Sequence, residues 1–235
     1  GTLNVGAGSY GVVAIGNDSF TYNNNAAVNV NLGNGSTYFY SNNPTTNFTN
    51  NVALNTTSKG VYGISTVGTV TNSANFTLGD ESVGVLYNGT GTAKNTANIR
   101  VGNSDVENEN YAIGMATKTG TIENDSTGTI TVGSSGIGLF ADGANSKAIN
   151  RGNIELSGKN TTGMYLDNNA IGENYGTIKT VPNPTNDGII GVVALNGAVI
   201  KNYGTIEIKD GTNLSGVYLA KGQYDKASTG TVVGG

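Results

Sequence analysis

The chain has no cysteine, no histidine and no tryptophan, and only three prolines in 235 residues. Without cysteine there is no disulfide framework, thiol nucleophile or cysteine zinc site. Without histidine, the general base of hydrolase triads and the commonest metal ligand are missing too. Charge is also scarce. Only 12% of residues are charged, with 12 Lys and Arg against 16 Asp and Glu. The net charge of -4 is spread along the chain, so there is no basic footprint for nucleic acid. No apolar run approaches the roughly 18 residues of a membrane span. The start, Gly1-Thr2-Leu3-Asn4-Val5-Gly6, lacks the basic and apolar regions of a signal peptide. Frequent glycine excludes a long helical protein.

What is abundant is glycine, asparagine and threonine, which together fill 102 of the 235 positions. Apolar residues recur among them at a fixed interval. Aligning a first core position gives Leu3, Val28, Val52, Phe76, Ile99, Ile130, Ile154, Ile178, Ile206 and Val232, mostly 23 to 28 residues apart. A second core residue follows two positions later, as in Ile154 and Leu156, which is strand alternation. A Gly/Ser/Asn turn comes next, then a second alternating segment such as Ile137-Gly138-Leu139-Phe140, and a third such as Ala198-Val199-Ile200. Three short strands in every period of this length predict an all-β fold, a right-handed parallel β-helix of about nine to ten coils. Residues 1–235 read as a single such segment. Its two ends fall at the same point of the repeat, as if cut from a longer array.

Four residues before the first core position stand Asn24, Asn72, Asn95, Asn150, Asn174 and Asn202, interrupted by Phe48, Ser126 and Ser228. Stacked amides can hydrogen-bond along the coil axis, so these six are assigned to a structural ladder. Two residues further on the chain is small, at Ala26, Ala74, Ala97, Gly128, Gly152, Gly176, Gly204 and Gly230. A tight corner with positive φ is expected there. In Tyr38-Phe39-Tyr40, alternation places the two tyrosines on one face and Phe39 on the other, so one set should face outward.

Little chemistry remains. Glu155 and Glu207 occupy outward positions two coils apart, at or beyond the upper edge of the separation used by inverting glycosidases. Lys179 lies between them, and alternating charge across strands is an ordinary pairing device. No catalytic residue, metal site or cofactor is therefore assigned. Tyr175 and Tyr203 fall at equivalent corners below Arg151, as an aromatic stack would. The repeat is broken in two places, at 103–110 and 181–187. Both extensions leave the same corner, three coils apart, and solenoid insertions often carry binding. The candidate binding residues are accordingly Asp105, Glu107, Glu109, Asn183, Asn186 and Asp187.

The phrase Asn-Tyr-Gly-Thr-Ile at 174–178 and 202–206, with a following Ser-x-Gly-Val/Ile-x-Leu, resembles the passenger region of type V autotransporter adhesins. The large fusobacterial outer-membrane adhesins are especially similar. The resemblance covers essentially the whole chain, but its motifs encode coil geometry rather than ligand contacts. It implies a bacterial cell-surface segment, folded outside the cell and attaching to proteins or glycans of other bacteria or host cells. Membrane attachment would come only through a C-terminal barrel absent from this piece, and the segment itself is expected to be monomeric. A carbohydrate-active β-helix enzyme and a vacuolating-toxin-like passenger are the alternatives.

Overall fold

The computed structural model describes residues 1–17, 20–24 and 27–234, with residues 20–23 described by their backbone alone. Among these residues there are 28 short strands and no helix. They wind as three strands per coil for about nine coils. One coil, for example, consists of Asn153–Leu156, Thr162–Asp167 and Ile171–Asn174. Each strand pairs in parallel with its counterparts in the coils before and after, so three sheets run along the rod. The second and third sheets hold nine strands each, and the first is divided into pieces of eight and two. At about 4.8 Å per step, the nine strands of one sheet span roughly 38 Å.

The repeat works because in-register stacking puts like residues on like residues. Phe76, Ile99, Ile130, Ile154, Ile178 and Ile206 form one continuous inward column in the first sheet. All six are at most 1% exposed. Burying a side chain of this size contributes about 2 kcal/mol, which in a solenoid is shared only between neighbouring coils.

Two register assignments from sequence are corrected. Leu3 pairs with Val30, not Val28, and Phe76 pairs with Leu54, not Val52. Both errors are two residues. Because strand side chains alternate with period two, such a slip keeps the apolar pattern intact and the sequence does not reveal it. Val52 is nevertheless fully buried, at the corner preceding the strand.

The asparagine ladder exists and is longer than expected. Its amides run Asn24, Asn50, Asn72, Asn95, Asn124, Asn150, Asn174 and Asn202, each Nδ2 donating to the Oδ1 of the next. The supposed interruptions at Phe48 and Ser126 are therefore wrong. With Leu54 as the true first core residue, Asn50 stands at the regular offset, and Phe48 is instead a fully buried member of the third sheet. At the other site two extra corner residues displace Asn124 from the counted position. Six of the amides, from Asn50 to Asn174, also donate to a carbonyl of their own corner, such as Asn72 to Ala74 and Asn95 to Ala97. Full burial is tolerable because the polar atoms are paired.

The small corner residues are explained differently from expectation. None of the described ones has positive φ, and Ala26 lies outside the described residues. A Cβ at Gly152 would collide with the Gly128 carbonyl, and one at Gly176 with that of Gly152. Close backbone approach between coils demands glycine at positions 152 and 176, whereas the corners at Ala74 and Ala97 accommodate a Cβ. A second glycine column, Gly63, Gly84, Gly114, Gly138, Gly163 and Gly191, lies in the second sheet. A Cβ at Gly138 would sit 2.9 Å from Ile154 Cγ2, in the next coil. Tyr38 takes this column's place in its own coil. It is buried along with Phe39, and only Tyr40 is partly exposed, so strict alternation fails in this strand.

Candidate functional site

Both loop extensions leave the corner between the first and second sheets, after Asn98–Val101 and after Thr177–Thr180. The strands concerned are three steps apart in the sheet. The first loop is a compact turn. The backbones of Asp105 and Asn110 exchange hydrogen bonds of 2.8 and 2.9 Å. Asn108 Nδ2 donates to Asp105 at 2.7 Å. That bond, before any other influence, holds the Asp105 carboxyl below the usual aspartate range. Ser104 anchors the base, accepting from the Ala112 N–H at 2.8 Å and donating to the Ser135 carbonyl at 2.8 Å.

The second loop is similarly self-supporting. Asn186 is buried, accepts from the Gly158 N–H at 2.8 Å and donates to the Val181 carbonyl at 2.9 Å. Asn183 accepts from the backbone N–H and the hydroxyl of Thr185, an Asx-type turn. Asp187 accepts from the Thr212 hydroxyl at 2.7 Å and from Asn213 Nδ2 at 2.8 Å, which lower its pKa in that order. Three of the six sequence-derived candidates, Asp105, Asn183 and Asn186, thus shape their own loops, and a fourth, Asp187, ties its loop to the next coil. Glu107 and Glu109 are exposed. Glu109, held in the left-handed region at φ 58°, faces a groove.

That groove, with a volume of about 720 Å³, lies on the outer face of the second sheet. Its floor includes Tyr62, Leu86, Ile113 and Phe140, from four successive coils, and the first loop supplies Glu109, Asn110 and Tyr111 along one side. Tyr62 and Tyr111 are 36% and 39% exposed, enough for their rings to meet a ligand. Asn110 Nδ2 donates to Glu81 Oε1 at 3.2 Å, tying the loop to the preceding coil. Sequence reading found Glu109 from the broken repeat. It missed Tyr62 and Phe140, whose convergence depends on stacking, although outward aromatics in the second segment were the available signal. A second, shallower depression of about 550 Å³ lies beside Asn183, Asp187 and Lys159.

Elsewhere the surface is balanced charge and stacking. Lys179 is in register between Glu155 and Glu207, as the sequence spacing requires. Glu207 forms its ion pair at 2.9 Å with Lys209 of its own coil. On the third sheet, ion pairs cross between coils, Lys147 to Glu173 at 3.2 Å and Arg151 to Glu123 at 3.0 Å. Tyr175 and Tyr203 stack at 5.2 Å between centroids, with the Arg151 guanidinium 4.4 Å over the Tyr175 ring. Burial within this stack, ahead of the neighbouring Glu173 charge, raises the Tyr175 pKa. Among the described residues no group of three or more Asp and Glu side chains could hold a metal ion.

No curated protein and no solved structure matches the chain. One family does, the BigA third pectate lyase-like domain, over residues 1–176 of 235, which fits a surface β-helix protein. With three quarters of its length matched, and with the stacked parallel coils described above, the chain belongs to the BigA third pectate lyase-like domain family.

Proposed function

We propose that this chain is a non-catalytic segment of a bacterial surface adhesin, presenting a rigid rod to other bacteria or host cells. The observation that carries this reading is the division of labour in the coil. Inward residues, ladder amides and corner glycines all serve stacking, so freedom to vary lies on the outer faces and in the two loops. A solenoid of this kind offers an extended surface for contact. The separation of Glu155 and Glu207 by Lys179 supports a surface role over polysaccharide cleavage. Secretion through an autotransporter barrel and folding outside the cell agree with the sequence resemblance and with a chain free of cysteine.

Adhesion of beads coated with the purified chain to bacteria and epithelial cells tests the proposal. Beads should adhere above an albumin-coated control. If they do not, while beads carrying a longer stretch of the parent protein do, the segment is a spacer and the adhesive reading fails for it.

A further inference from the structure

We infer that the groove on the second sheet is a binding site for an extended, uncharged oligosaccharide. This rests on the adhesin reading above and assigns its ligand class. The floor is apolar and aromatic, with Tyr62, Leu86, Ile113 and Phe140 contributed by four successive coils. The rims are polar. Lys59, Glu81 and Glu109 stand at the corner before the strands, and Asn88 and Lys118 at the corner after them. A pyranose has the same division, with C–H groups on its ring faces and hydroxyls around its edge. Its faces suit tyrosine and phenylalanine rings, and its hydroxyls suit carboxylate, amide and ammonium groups.

Length and charge narrow the class. The floor follows the rod axis, and its step of about 4.8 Å per coil is close to the length of one sugar unit in an extended chain. The volume is within the range of small-ligand sites, roughly 300–1,000 Å³. Lys59 and Lys118 offset Glu81 and Glu109, leaving the rim without net charge. A polyuronate gains nothing from such a rim, whereas a neutral or N-acetylated chain loses nothing. An extended peptide adding as a strand is disfavoured, because the strands under the groove are hydrogen-bonded on both sides.

Calorimetry on the chain with oligomers of β-linked glucose, galactose and N-acetylglucosamine, and with an oligogalacturonate, tests the assignment. At least one neutral oligomer should bind, and more tightly than the acidic one. Tyr62→Ala and Tyr111→Ala should each weaken it about tenfold or more, about 1.4 kcal/mol. Tyr218→Ala, exposed on the same sheet away from the groove, should leave binding unchanged. Unaltered circular dichroism of the variants would separate lost contact from lost fold. The inference is overturned if no neutral oligomer binds, if both groove variants bind as the parent does, or if the oligogalacturonate binds best. Beads coated with Tyr111→Ala that adhere as well as the parent overturn the groove assignment and leave the adhesin reading intact. Calorimetry judges the groove independently if no beads adhere at all.

Discussion

The side-chain amide of Asn202 donates to the hydroxyl of Tyr224 at 3.3 Å, in the same direction in which every earlier rung donates to the next asparagine. At the other end, Asn24 Nδ2 also donates to the Tyr38 hydroxyl, at 2.9 Å. Two phenols thus meet the ladder at its first and last described rungs. The ladder is buried throughout, so each polar atom left without a partner carries a desolvation penalty.

Rungs in the middle should therefore matter more than the cap. Asn150→Ala removes the acceptor of Asn124 and the donor to Asn174, and should destabilise by about 2–5 kcal/mol. Tyr224→Phe removes one partly buried acceptor and should cost about 1 kcal/mol. Urea unfolding compares them. Equal losses in the two variants would contradict the ladder's structural role.

The glycine column of the second sheet gives a steric prediction. A Cβ on Gly138 would lie 2.5 Å from the Gly163 carbonyl oxygen, which neither coil can move cheaply. Gly138→Ala should destabilise by about 1–3 kcal/mol or more. Gly6→Ala, where the nearest atom is Ser9 Oγ at 3.7 Å, should stay within about 0.5 kcal/mol. Thermal melting of the pair decides whether close approach, rather than backbone freedom, selects these glycines.

Acid should loosen the loops before the rod. The fold lowers the pKa values of Asp187, chiefly through the Thr212 hydroxyl, and of Asp105, chiefly through Asn108. Their contribution is present above the unfolded value of about 3.9 and is lost as pH falls through the lower folded values. Amide protection at 105–110 and 186–188, taken relative to the intrinsic exchange rate at each pH, should fall in that acid window and be flat near neutrality. An Asp187 carboxyl that titrates by NMR at or above the peptide value would refute this.

Arg151 should be worth little alone and something with its partner. It is exposed, so Arg151→Ala should cost less than about 1 kcal/mol. A double-mutant cycle with Tyr175→Ala should return a coupling of about 0.5–1 kcal/mol from the ring contact. A zero coupling would reduce the stack to coincidence.

The non-catalytic proposal predicts no release of reducing ends or unsaturated products from polysaccharides. Glu155→Gln and Glu207→Gln should change stability by no more than about 0.5 kcal/mol. Cleavage by the parent chain that disappears in either variant would establish an enzyme instead.

Much of the fold was legible because a stacked coil writes its geometry into every turn. The Ile130, Ile154 and Ile178 column, the ladder rungs Asn72, Asn95, Asn150, Asn174 and Asn202, and the shared corner of the two loops could all be found by counting. The errors at Val28 and Val52 arose because a two-residue slip preserves alternation, and only the paired backbone fixes it. Asn50 was missed through the same slip, and Asn124 through a corner two residues longer. Tyr38 went astray because the local pattern implies alternation, whereas its place in the stack is one that other coils fill with glycine.

The sequence by itself determined the period, the strands, the buried column and the absence of thiol and imidazole chemistry, since these depend on residue type and spacing along the chain. The tertiary structure alone decided the groove. Tyr62, Leu86, Tyr111 and Phe140 are spread over nearly eighty residues and share no motif. They meet because each coil advances the chain by one strand spacing and returns it to the same face. Composition can specify that step, but which outward side chains become neighbours depends on the register of the coils between them.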